Sequence, residues 1–267
     1  MNSHCYQDHS GHFLRYLTLL AVLLFSCSQR LPHVLPVRAP VSHAGWDSLL
    51  HQHVSMEGWV DYEGFIRDSM RLNRYLELLA SAHPQTSWPG EEQMAYWINA
   101  YNAFTVKLII QHYPVESIKD IKRGIPFVNT VWDIPFIHIQ SETYDLNQIE
   151  HRILRKQFKD ARIHAAINCA SYSCPRLASE AFVADRLDDQ LTQAMYNFIH
   201  DPLRNRIERS SVQVSPIFKW FGSDFRRDAG SLREYLNRYL ETPVPAGGEI
   251  SFLEYNWSLN DSARNHQ

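Results

Sequence analysis

The sequence predicts an α+β fold, a single, mainly helical domain with a small, mostly antiparallel sheet. Residues 91–113 form one long amphipathic run with acids at its start and Pro114 just beyond its end, which is the pattern of a helix. Shorter helical runs recur on both sides of it. The β-branched stretches are brief and separate: Phe136-Ile-His-Ile139, Val212-Gln-Val214 and Ile250-Ser-Phe-Leu253. At 267 residues, 45% hydrophobic and 21% charged with a net charge of −3, the chain has the composition of one large globular domain. That balance excludes a disordered protein and a basic nucleic-acid binder. No internal repeat, phosphate loop or dinucleotide fingerprint is present, and no cofactor is expected.

The N-terminus carries an export pattern. Arg15 precedes an apolar run over residues 16–25, too short to span a bilayer and suited to the apolar region of a secretory signal. Leu24-Phe25-Ser26-Cys27 resembles a bacterial lipobox, in which Cys27 becomes the lipidated first residue. Residues 1–26 are then the signal, 27–45 a tether carrying Pro32, Pro36 and Pro40, 46–260 the domain, and 261–267 a flexible tail. Ser28 after the modified cysteine points, by resemblance to bacterial lipoproteins, to the outer membrane facing the periplasm. Acyl chains would supply the membrane attachment.

Within the domain, Trp46, Leu49, Leu50 and Val54 mark a first helix, broken at Gly58-Trp59-Val60-Asp61-Tyr62 before a helical pattern resumes over residues 65–82. After a loop at 84–90, the long helix places Trp97, Tyr101, Phe104 and Leu108 on one stripe, which reads as core. Asn99 and Asn102 sit beside that stripe. If buried, their amides need partners, either to tie down adjacent loops or to orient a catalytic group. A helix follows Tyr144, capped by Asp145 or Asn147, with Ile149, Ile153 and Leu154 on its buried side. Glu150 and His151 in it are read either as a solvated pair or as part of a site. Helical runs at 188–199, 216–221 and 231–240 and the closing strand at 250 complete the layout.

The candidate chemistry lies in His164-Ala-Ala-Ile-Asn168-Cys169-Ala-Ser-Tyr-Ser-Cys174-Pro175. Residues 162–168 read as a short strand delivering Cys169 to a loop, with Pro175 opening a short helix. A cysteine at such a junction can be activated, whereas one in apolar packing is inert. Once Cys5 is removed with the signal and Cys27 is lipidated, Cys169 and Cys174 are the cysteines that remain. They can be a nucleophile and its neighbour, a loop-closing disulfide, or, with His164, three ligands of a zinc site that lacks a fourth. No metal is expected.

These segments together resemble the domain-of-unknown-function family numbered 547. The carrying motifs are Gly58-Trp-Val60-Asp61-Tyr62, Tyr96-Trp97-Ile-Asn99-Ala-Tyr101-Asn102, Asp145 through Arg155, Arg162 through Pro175, Phe218-Lys-Trp220 with Asp224-Phe225, and Tyr255-Asn256-Trp257-Ser258-Leu259-Asn260. Asn256 stands where the family commonly has aspartate. The resemblance implies that a histidine and a cysteine matching His164 and Cys169 are kept, while the position of Cys174 can be serine, which favours Cys169 as a nucleophile.

The expected function is a thiol-dependent hydrolase or acyl transferase of papain-like or transglutaminase-like logic, attacking an amide or ester. Cys169 is the nucleophile, His164 or His151 the base, and Glu150, Asn99 or Asn102 the group that orients the ring. Backbone amides at 169–171 are the candidate oxyanion donors. His164 qualifies only if the chain bends after Asn168, because five positions along a straight strand put the two residues on opposite faces. The alternative is a non-catalytic envelope module that binds a protein, peptide or glycan in an aromatic groove of Trp97, Trp132, Trp220 and Trp257.

Overall fold

The computed structural model describes residues 39–122, 130–208 and 211–264. The expected signal, the lipidation site Cys27 and most of the tether lie outside the described residues. Four helices open the domain: α1 (Ala44–His53), α2 (Tyr62–Arg67), α3 (Ser69–Ser81) and α4 (Gly90–His112). They follow the apolar spacing of the sequence, with Trp46, Leu49, Phe65, Leu72, Leu79 and Trp97 buried. Gly58 makes the break before α2 at φ +83°, where a Cβ would stand 2.6 Å from that of Arg176, so the position takes glycine alone without strain.

Helix α4 is the axis of the larger core. Its middle is buried all round, so its amide side chains must bond internally, and they do. Asn99 donates to the Phe182 carbonyl and accepts from the Phe182 N–H. Asn102 donates to the Ala166 carbonyl and accepts from the Asn168 N–H. The hairpin β1 (Ile137–Ile139) and β2 (Glu142–Tyr144) is antiparallel. A π-helix, Gln148–Phe158, follows it, with Asp145 and Gln148 capping each other's backbone N–H. The sequence signalled a helix here but not its wider winding, a form associated with functional sites.

Two readings of the central segment are corrected. Residues 162–168 are not a strand: Ile163–Ala166 is the short helix α5. The alternation of so short an apolar run does not separate strand from buried helix, and the two alanines favour the helix. Pro175 opens no helix either. The carbonyls that would start one are taken by side chains, that of Cys174 by Arg204 Nε at 2.6 Å and that of Pro175 by Asn168 Nδ2 at 2.7 Å.

Helix α6 (Leu187–Ile199) packs on α5. A three-stranded sheet orders β3 (Arg206–Ile207), β4 (Val212–Val214) and β5 (Ile250–Phe252), with β3–β4 antiparallel and β4–β5 parallel. Helices α7 (Ile217–Trp220), α8 (Gly222–Ala229) and α9 (Leu232–Asn237) pack with it around a second apolar cluster that contains Phe198, Phe218, Phe225 and Tyr235. This is the expected α+β layout. Ordered structure runs past the expected end of the domain, because Asp261 is buried and bridges to Val60, and Arg264 reaches Glu116.

Asn102→Ala is expected to leave the Ala166 carbonyl and the Asn168 N–H without partners. At about 1–3 kcal/mol for each orphaned group, the loss in urea unfolding should total about 2–6 kcal/mol. A loss under about 1 kcal/mol would mean that water replaces the amide.

Candidate active site

Cys169 sits in a loop whose backbone is fixed from three sides. Asn102 in α4 holds the Asn168 N–H. The Asn168 side chain accepts from the Ala170 N–H and bonds Asn260. The C-terminal segment lies alongside, with Tyr172 N–H donating to the Ser258 carbonyl and Asn260 N–H to that of Ala170. Ala170 takes φ +63°, a conformation rare outside glycine and costing on the order of 1–3 kcal/mol, next to the candidate nucleophile. These bonds are what hold it there.

The half-buried Cys169 sulfur lies 3.1 Å from Cys174 Sγ, 3.1 Å from Ser171 Oγ and 3.4 Å from Tyr255 Oη. Both cysteines are thiols. Hydrogen bonds from Cys174, Ser171 and Tyr255 to the ionised sulfur outweigh its burial and pull the Cys169 thiol well below its ordinary range. Cys174 moves the other way, raised by burial and by the neighbouring sulfur. One sulfur is therefore prepared to ionise and the other to stay protonated.

Across a cleft of about 180 Å³ stand the other titratable groups. Glu150, His151, His164, Cys169 and Cys174 all line this cleft. His164 is enclosed, its side chain 1% exposed, with Nε2 2.8 Å from Asp224 Oδ2 and the ring stacked on Phe221 at 3.9 Å. With Nε2–H committed to Asp224, Nδ1 faces Glu150 Oε1 at 3.9 Å. Burial lowers the His164 pKa against the pull of Asp224, so the ring favours its neutral form. Asp224 is itself gripped by Arg155, Nε to Oδ2 at 2.7 Å and Nη2 to Oδ1 at 3.2 Å. Burial would raise its carboxyl, but the His164 and Arg155 hydrogen bonds hold it well below the carboxylate range.

Glu150 is not a solvated charge. It is buried, and burial together with the field of the Cys169 thiolate raises its pKa to about 8, against the pull of Arg155 and Tyr101. A carboxylic acid thus shares the cleft with a thiol disposed to ionise. His151 is at the exposed rim, with Nδ1 3.1 Å from Arg155 Nη1, and burial and that guanidinium lower its pKa.

The structure separates the expected site residues. Among the described residues, the hydrogen-bond partners of Cys169 Sγ are hydroxyls, a thiol and its own loop, and neither histidine is among them. Across the cleft it is Glu150 that feels the charge of the Cys169 sulfur. Asn99 is outside the cleft, with both ends of its amide spent on Phe182, so it orients no catalytic ring. The carboxylate that bonds the His164 ring is Asp224. The backbone amides at 169–171 do not converge on an oxyanion: Cys169 N–H points to Cys174 Sγ, Ala170 N–H to Asn168, and Ser171 N–H to the Cys169 sulfur.

Among the described residues, no group of His, Cys, Asp and Glu is arranged to hold a metal ion. Of the four expected groove tryptophans, Trp132, Trp220 and Trp257 meet at the cleft, with Trp220 and Trp257 stacked at 5.9 Å, while Trp97 is packed in the core. Asp224 and Arg155 and the side chains of Tyr101, Ser171 and Tyr255 had no place at the site in the sequence reading, although all five stand in the motifs that carry the resemblance. The signal was an acid in the first turn of a helix amid aromatic and basic residues.

Residues 85–199 match the family model described as "Protein of unknown function, DUF547". The matched stretch contains α4, the π-helix, α5 and the cysteine loop, and therefore Glu150, His151, His164, Cys169 and Cys174. Asp224 and Tyr255 come from beyond it. No curated protein and no solved structure matches the chain. Among the described residues, no helix is long and apolar enough to cross a membrane.

The Glu150 carboxyl is expected to titrate near pH 8 by carboxyl 13C NMR, and higher still in Tyr101→Phe, which removes a hydrogen bond to the carboxylate. Its folded pKa lies above the unfolded value, so the native state binds the extra proton between about pH 4.5 and 8 and stability falls as pH rises through that window. Glu150→Gln should therefore gain stability relative to wild type across the same window. A difference that does not change with pH would show Glu150 to be ionised throughout.

Proposed function

We propose that this chain, which matches the DUF547 model over residues 85–199, is a thiol-dependent hydrolase or acyl transferase acting on an amide or ester. The observation that carries this reading is the meeting of two prepared groups in one cleft: a thiol favoured to ionise, and a buried carboxyl favoured to keep its proton, backed by a His164–Asp224 pair. Pairs of groups whose surroundings drive their pKa values apart mark acid and base assignments.

In this scheme the Cys169 thiolate attacks the carbonyl carbon, forming the C–S bond as the π pair moves to oxygen. The Tyr255 and Ser171 hydroxyls, which donated to the sulfur while it held the charge, are then free to donate to the oxyanion. The intermediate collapses and the leaving alcohol or amine takes the Glu150 proton. Water, or an acceptor alcohol or amine, then attacks the thioester, its proton returns to the Glu150 carboxylate, and the thiolate departs. Among the described residues, His164 Nδ1 faces Glu150 rather than the sulfur, so the imidazole acts by orienting and polarising the carboxyl. This departs from a direct Cys–His pair.

The aromatic groove supports a second reading, a non-catalytic module that binds a protein, peptide or glycan, because Trp220 is 49% exposed at the cleft mouth beside Trp257. An ionising thiol and a protonated carboxyl are not needed for binding, and they favour the enzyme. We further place the domain in the cell envelope, anchored through Cys27, on the apolar run at 16–25 and the Leu24-Phe25-Ser26-Cys27 motif.

Incubation with p-nitrophenyl acetate should acylate wild type on the tryptic peptide 163–176 and leave Cys169→Ala unmodified. Glu150→Gln should acylate normally, since nitrophenolate leaves without a proton, and turn over on the order of 10²–10⁴ times more slowly. Equal labelling of wild type and Cys169→Ala, or none of either, would leave only the binding reading. For the anchor, Cys27→Ser should move the protein from the detergent phase to the aqueous phase in Triton X-114 partitioning. An unchanged distribution would refute lipidation there.

A further inference from the structure

We infer that Cys169 and Cys174 together form a thiol–disulfide exchange pair, in which Cys169 attacks a small-molecule or peptide disulfide and Cys174 resolves the mixed disulfide. This activity shares only the nucleophile with the acyl-transfer reading and does not rest on it.

The argument begins with the second sulfur. An acyl-transfer nucleophile needs hydrogen-bond donors, and Ser171 and Tyr255 already provide them. Cys174 adds something else, a sulfur 3.1 Å from the first, against a bonded length of about 2.05 Å, so closure asks for a movement of about 1 Å. The loop between them is already folded back on itself, with Cys174 N–H donating to the Ser171 carbonyl. Cys174 is also fixed from behind: Arg204, buried in an ion pair with Asp201, holds its carbonyl, and Asn168 holds that of Pro175.

Accessibility divides the labour. Cys169 is half-buried and opens on the cleft, whereas Cys174 is 4% exposed. An external disulfide can therefore meet Cys169 more readily than Cys174. The Cys169 N–H points at Cys174 Sγ at 3.1 Å, a donor placed where negative charge must form when Cys174 becomes the attacking group. The opposed titration of the two thiols fits the same order, the ionisable one attacking first.

The exchange balances in two displacements. The Cys169 thiolate attacks one sulfur of R–S–S–R, forming the mixed disulfide and expelling RS⁻. Cys174 then loses its proton to the expelled thiolate or to water and attacks Cys169 Sγ. The internal disulfide forms and the second RS⁻ departs through the cleft. Two electrons pass from the protein dithiol to the substrate disulfide, and a thiol reductant of the surroundings reverses the sequence.

The test uses the full chain with oxidised glutathione as the disulfide, quenched with N-ethylmaleimide and read on the tryptic peptide 163–176, which carries both residues and is separate from Cys5 and Cys27. In wild type the peptide should become lighter by two hydrogens, with two glutathione thiols released for each peptide oxidised. Cys174→Ser should instead accumulate glutathione on Cys169, and Cys169→Ser should leave Cys174 unmodified. Stable glutathionylation of wild-type Cys169 to the extent seen in Cys174→Ser would overturn the inference, as would a peptide that does not react. Acylation by p-nitrophenyl acetate is scored in the same preparation. Acylation without the internal disulfide overturns exchange and leaves acyl transfer standing; the disulfide without acylation does the reverse.

Discussion

The site depends on a relay of buried side-chain amides. Asn102 projects from the buried middle of α4 and uses both ends of its amide on the chain just before Cys169. Asn168 passes the constraint on to Ala170, Pro175 and Asn260, and Asn260 accepts from Tyr62. Each of these groups would be an orphaned polar atom without its neighbour, so the loop cannot shift without leaving several unsatisfied at once. That is how a left-handed alanine is kept beside the nucleophile. It is also why a loop with little apolar packing of its own can place a sulfur against Ser171, Cys174 and Tyr255 together.

The charges obey a similar economy. A neutral carboxyl and a neutral imidazole face the cleft, while the formal charges nearest to them, on Asp224 and Arg155, are paired with each other behind the ring. The pairing lets a buried carboxylate orient the ring without leaving an uncompensated charge. It also leaves Glu150 to burial and to the sulfur, both of which favour its protonated form. Because thiolate and carboxylate would repel across the same small space, ionising one makes ionising the other harder, and one negative charge shared between them is the natural state of the site near neutral pH.

The helical frame was legible because it depends on local periodicity. The runs around Trp46 and Leu49, Phe65 and Leu79, and Trp97 and Leu108 each repeat at helical spacing and become α1, α3 and α4 with their neighbours. The amides of Asn99 and Asn102 were visible as polar residues in an apolar helix, and tying down loops is what both do. Their partners lie 83 and 64 residues away, so which loop each one ties, and that only Asn102 serves the cysteine loop, could not be read from spacing. The same distance hid Asp224, which reaches His164 across 60 residues. The misread strand at 162–168 had a local cause, an apolar run too short to show a period.

The helical form of that run carries a consequence for the chemistry. As a strand it would have set His164 and Cys169 on opposite faces. As a helix followed by a fixed turn it brings both to one cleft, yet it turns the imidazole toward Asp224 and Glu150 and away from the sulfur. The thiol must then be ionised by its own loop and not by a histidine, which is the task that Ser171, Tyr255 and Cys174 perform. A site built this way separates making the nucleophile from moving the proton. Under the proposed acyl transfer, the first task falls to the cysteine loop and the C-terminal segment, the second to the π-helix and α8, and the substrate carbonyl would be the one place where the two meet.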